Sequence, residues 1–173
     1  MREWIPVPGS AKARLALTAL EQFGARGYEA VNVAELAAAA GVTTGSLYHH
    51  FGSKAGLYQV VREEAERRAL DRLEGAAAAR AGEGRSAVTR TALLVGFDYV
   101  VGRGLARLFA ERHPGPAADP VEAFLARAAG RQETPIGRLL AAAWREALAA
   151  VADGEAPGRA RAALAALALE EAV

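Results

Sequence analysis

Thr43, Thr44, Gly45, Tyr48, His49 and Lys54 lie close together and share a chemical character. Each is small or carries a hydrogen-bonding group, and no carboxylate stands among them. Hydroxyls, an imidazole, an ammonium and a glycine suit contact with phosphate oxygens and base edges better than bond breaking. Lys54 falls in the first turn of an expected helix, where free N–H groups already favour an anion and a lysine adds point charge. Catalytic readings find little support. The chain shows no paired carboxylates placed for acid–base work and no Ser–His–Asp ordering. Gly41, Gly45, Gly52 and Gly56 do not form a strand-led GxGxxG. Adjacent residues on a helix diverge by about 100°, so His49 and His50 are not expected to share a metal. His113 sits in a separate segment. The expectation is no enzyme, no metal and no cofactor.

Two short helices must position these groups. The first is expected from Val33 to Ala40, with Asn32 as N-cap and Glu35 three residues on, the spacing of a capping box. Gly41-Val42-Thr43 breaks it, and a second runs from Thr44 to about His50. Two helices joined by three residues through a glycine form a helix-turn-helix pattern. Ala37 must be small because the helices cross there, and Gly41 permits the left-handed backbone of a sharp turn. Val42 and Leu47 are expected to face inward, with Phe51 plugging the base and His50 beside it. That leaves Thr43, Thr44, Gly45, Tyr48 and His49 outward. A seven-residue helix is about 10 Å long and fits a major groove roughly 12 Å wide.

Around this pair the pattern is helical throughout. An arm covers residues 1–9. A helix from Ser10 to about Ala25 carries an apolar face of Ala13, Ala16, Leu17, Leu20, Phe23 and Gly24, and Gly27 stands where a C-terminal glycine would. Ser53 caps a long helix to about Ala79, whose Glu63, Glu64, Glu66, Arg67, Arg68, Asp71 and Arg72 read as a solvated, paired face. A linker at Arg80–Arg85 precedes helices at roughly 86–102 and 104–112, a break at 113–116, and a helix at about 119–130. Thr134 caps another that starts at Pro135 and runs to about Ala152. The last, 158–172, is apolar nearly all round between Ala162 and Leu169 and must be covered by something.

Composition narrows the class further. The chain has 173 residues, no cysteine, and 44 alanines, which favour closely packed helices. Disulfide scaffolds and thiolate metal sites are therefore excluded. Its net charge is +1, so nucleic-acid binding must come from a local surface rather than a global field. Residues 1–60 hold five basic residues (Arg2, Lys12, Arg14, Arg26, Lys54) and four acidic ones (Glu3, Glu21, Glu29, Glu35). That weak excess suits a binder that uses two copies per site. No apolar run reaches the roughly 18 residues of a membrane span, and the start lacks a signal-peptide stretch. The expectation is a cytoplasmic, all-α protein.

Phe23–Tyr28 (FGARGY) and residues 33–58 (VAELAAAAGVTTGSLYHHFGSKAGLY) resemble the TetR/AcrR family of bacterial transcriptional regulators. The resemblance covers roughly residues 10–60. It implies an all-α homodimer in which a three-helix DNA-binding domain, 1–52, is joined to a helical effector-binding and dimerisation domain, 53–173, with helix 53–79 as connector. It further implies phosphate contacts from Thr43, Tyr48 and Lys54, and base-edge or close groove contacts from Thr44, Gly45 and His49. The expected function is a repressor released from a palindromic operator by a small-molecule effector, its two reading helices about 34–36 Å apart. Phe97, Asp98, Arg103, Phe124 and Trp144 are the effector-site candidates, with core packing, and an Asp98–Arg103 pair, as the plainer reading. Helices 135–152 and 158–172 are expected to pair with their symmetry mates in a four-helix interface. The alternatives are a constitutive DNA-binding or protein-interaction module and, less favoured, a helical enzyme.

Overall fold

A computed structural model describes residues 8–112, 119–132 and 134–169. The expected arm at 1–9 lies largely outside them, as does the break at 113–116 and the end of the chain from 170. Among the described residues the fold is all-helical. The elements are α1 (Ala11–Ala30), α2 (Val33–Ala39), α3 (Thr44–Phe51), α4 (Lys54–Ala78), α5 (Arg85–Gly102), α6 (Ala106–Ala110), α7 (Pro120–Ala128), α8 (Ile136–Ala152) and α9 (Pro157–Ala165).

Local chemistry explains most boundaries. Ser10, Asn32, Thr43, Ser53 and Asp119 each cap the helix that follows with a side-chain oxygen. Asn32 Oδ1 accepts the N–H groups of Ala34 (2.7 Å) and Glu35 (3.3 Å). The Glu35 carboxylate does not complete a capping box; it pairs with Arg26 at 3.0 Å. Asn32→Ala should therefore lower the unfolding free energy by about 1 kcal/mol in a urea titration.

One apolar core runs from the amino-terminal helices through α4 into α5–α9. Leu15, Phe23, Leu36 and Leu47 anchor one end, and Leu93, Phe97, Phe109 and Trp144 the other. α4 links them, packing most extensively on α5 and also on α1 and α7. α6 bridges back, touching both α1 and α8.

Several expectations are corrected. Leu17 is 57% exposed and does not belong to the buried face of α1. Gly27 does not end α1 but kinks it, at φ 77° and ψ 171°, a conformation open essentially to glycine alone. Glu64 and Glu66 on α4 are buried, at 4% and 3% exposure, so that face is not simply solvated. Thr134 does not cap α8; its hydroxyl donates to the Arg131 carbonyl (2.8 Å), and Pro135 takes the cap position. α9 stops at Ala165 instead of continuing through the Ala/Leu run; Leu164 of that run is buried and Leu167 and Leu169 are partly buried against the core, whereas Ala162, Ala163, Ala166 and Ala168 stay exposed.

Candidate nucleic-acid interface

The α2–α3 unit is built around a short inward set. Leu36, Ala37 and Leu47 are buried, and Val42 and Phe51 are half-buried. The turn closes through the Val42 N–H donating to the Ala37 carbonyl (3.0 Å), with Gly41 at φ 65°. Thr43 Oγ1 accepts the Ser46 N–H (3.2 Å) and starts α3. With Leu47 facing the core, helical periodicity turns the other side of α3 outward. Thr43, Thr44, Gly45, Tyr48 and His49 are all exposed, Tyr48 at 52%. His50 is half-buried; its ring lies 5.0 Å from that of His49 and 6.3 Å from that of Phe51.

Arg14 braces this unit through contacts that spacing alone does not reveal. From the first turn of α1 its Nε donates to the Ala40 carbonyl (3.0 Å), with further bonds to the carbonyls of Gly9 (2.7 Å) and Gly41 (3.5 Å). It ties the start of α1 to the end of α2 and places a guanidinium beside the turn, where a helix C-terminus favours positive charge. The signal was a basic residue opposite the apolar stripe, which periodicity assigns only to solvent. Lys12 lies nearby, its Nζ 5.9 Å from the Phe51 ring centre.

Lys54 is less free than a surface lysine. Its Nζ sits 4.2 Å from the centre of the Tyr28 ring and 3.5 Å from the Glu29 carbonyl. The ring face and the end of α1 both attract the ammonium. Behind Tyr28 lies Tyr58, ring centres 4.9 Å apart. The Tyr58 hydroxyl donates to Glu111 Oε2 (2.5 Å). Burial first, and then this bond, push the Tyr58 phenol above its ordinary value, so it stays a donor.

The five effector-site candidates divide between the core and the surface. Phe97, Phe124 and Trp144 are core residues, and the Trp144 indole donates to the Leu93 carbonyl (3.1 Å). Asp98 is exposed and accepts from Arg161 of α9 (2.8 Å) rather than from Arg103, which sits exposed at the end of α5. An open cavity of ≈ 290 Å³ lies between the starts of α7 and α8 and is lined by none of the five; Glu122, Ala126, Pro135 and Arg138 border it. Among the described residues no three His, Asp or Glu side chains are grouped to hold a metal, and no helix is long and apolar enough to cross a membrane.

Residues 17–61 match the family model described as bacterial regulatory proteins, tetR family. The match begins within α1 and ends within α4, so it contains all of α2 and α3. No curated protein matches the chain. The amino-terminal unit is thus a tetR-type helix-turn-helix domain, the DNA-binding part of a transcription regulator.

Proposed function

We propose, for a chain whose amino-terminal domain is of the tetR type, that a homodimer reads a near-palindromic duplex through α3 and represses transcription until a small-molecule effector releases it. The observation that carries the DNA reading is the outer side of α3. Thr44, Gly45, Tyr48 and His49 stand exposed together on one short helix, held by buried Leu47 and by the Arg14-braced turn. A helix of this length fits the major groove, with its amino-terminal residues nearest the bases. Thr43, Tyr48 and Lys54 then take phosphates, and Thr44, Gly45 and His49 approach base edges.

Dimerisation through α8 and α9 is supported by small or apolar residues on their open sides, Leu139, Ala142, Ala162 and Ala163. Two copies would supply the two reading helices that a weakly charged domain needs. The burial of Phe97, Phe124 and Trp144 in the core, away from the open cavity beside α7 and α8, favours a second reading, a DNA binder with no effector response.

The test is selection of bound duplexes from a random pool, followed by salt titrations. The proposal expects a near-palindrome bound at least ~10³-fold more tightly than random duplex. Tyr48→Phe should weaken binding similarly on all sequences, whereas Thr44→Ala and His49→Ala should relax preference at defined positions by about 1–3 kcal/mol each. Equal losses on selected and random duplex for all three variants would overturn the assignment of roles.

A further inference from the structure

Glu111, just after α6, lies 83 residues from Tyr28 and 53 from Tyr58, yet its carboxylate holds both. Oε1 accepts the backbone N–H of Tyr28 (3.2 Å), and Oε2 accepts the Tyr58 hydroxyl (2.5 Å). The Tyr28 amide is the first after the Gly27 kink. A Cβ on residue 27 would stand 3.0 Å from Glu111 Oε1 and 3.2 Å from Arg107 Cδ, so the kink is shaped to admit this side chain. Beyond it, the Tyr28 ring packs against Phe23 and Tyr58 and forms the platform under the Lys54 ammonium. The Glu29 carbonyl, next in the chain, supplies the second contact to that ammonium.

We propose that Glu111 is a positioning residue for DNA binding: by fixing Tyr28 it fixes the seat of Lys54, and so presents the ammonium to a phosphate. The inference rests on the reading of Lys54 as a phosphate contact. A lysine on a flexible four-carbon stem loses considerable rotamer freedom when it engages a partner, and a seat formed beforehand reduces that loss. Glu111 touches no nucleic acid in this scheme. It acts through one backbone amide and one phenol, and it couples the carboxyl-terminal helices to the DNA-facing surface.

The experiment is binding of the full chain to a mixed-sequence duplex of about 30 base pairs, roughly three turns, measured against salt. The slope of log affinity on log salt counts phosphates neutralised, at about 0.9 per contact, and a loss of folded protein does not alter it. Lys54→Ala should flatten the slope by about 0.9 per protomer. Glu111→Ala should do the same, with a two- to fivefold loss of affinity, the size of an exposed ion pair. The double variant should bind no worse than either single one, because both remove the same contact. Glu111→Gln should restore the slope: its amide oxygen can accept from Tyr28 while its NH₂ donates to the Tyr58 oxygen. If Glu111→Ala does not fold, Tyr58→Phe removes half of the same seat and decides in its place.

An unchanged slope in folded Glu111→Ala, or in Tyr58→Phe where that variant decides, overturns the proposal and leaves the DNA reading intact. Additive losses in the double variant overturn it equally. An unchanged slope in Lys54→Ala removes the phosphate contact, and Glu111's role with it. No binding of duplex by the unaltered protein defeats the DNA reading itself.

Discussion

Trp144→Ala should lower the unfolding free energy by about 3–5 kcal/mol, the range for truncating a fully buried tryptophan. Trp144 has no exposed surface and meets the edge of Phe109 at 5.7 Å between ring centres. Its indole N–H donates to the Leu93 carbonyl (3.1 Å), which joins α8 to α5 by a polar bond within an apolar region. Truncation opens a cavity and removes this second donor from a carbonyl that keeps its helical bond within α5, and interiors relax only partly around such a void. For a chain of this size the loss corresponds to a fall of about 6–20 °C in the melting temperature. Trp144→Phe keeps most of the volume and removes the donor, so it should cost markedly less. Below the new transition, the salt slope of DNA binding should stay at its original value. A melting temperature unchanged within a degree would sink the claim that Trp144 is a post of the core.

This residue also shows where sequence reasoning reaches its limit. A tryptophan at helical spacing among Ala and Leu is legible as apolar, but spacing does not say whether it lines a cavity or fills one. Phe97, Phe124 and Trp144 fill the core; Asp98 and Arg103 lie outside it, and Asp98 finds its partner 63 residues away in Arg161. By contrast, the placement of the residues on α3 was legible almost completely. Over eight residues one buried leucine, Leu47, fixes the orientation of the helix, and the outward set follows from 3.6 residues per turn. Caps at Asn32 and Ser53 were legible for the same reason, since each bonds within three residues. The bonds of Arg14 to Ala40 and of Glu111 to Tyr28 span 26 and 83 residues, and no local pattern announces them.

Arg62→Met should destabilise the protein by about 3–5 kcal/mol, because it breaks a buried ion pair rather than a surface one. Spacing gives no sign of a role for Arg62 and places Glu66 on a solvated face. In the fold they are 1% and 3% exposed. Arg62 Nε donates to Glu66 Oε1 at 2.7 Å, and its two terminal nitrogens donate to the Leu108 and Glu111 carbonyls, the latter at 3.0 Å. The guanidinium also lies over the Phe109 ring, 5.0 Å from its centre. One side chain of α4 thus closes the end of α6, where the carbonyls lack further helical donors. Methionine preserves much of the volume but leaves Glu66 buried without this guanidinium and two carbonyls without their donor. Arg62→Lys should fail nearly as badly, since a single ammonium cannot reach three acceptors set around a planar fork. Replacing both partners, Arg62→Met with Glu66→Leu, should recover part of the loss by removing the buried carboxylate, but not all of it, because the carbonyls remain. Denaturant titration of the three variants checks the order. A lysine variant as stable as the original protein would show that charge alone, and not the guanidinium's geometry, holds α6 on α4. Since Glu111 follows α6 directly, the same bolt keeps its carboxylate within reach of Tyr28, so the folded fraction of Arg62→Met should also show the flattened salt slope expected of Glu111→Ala.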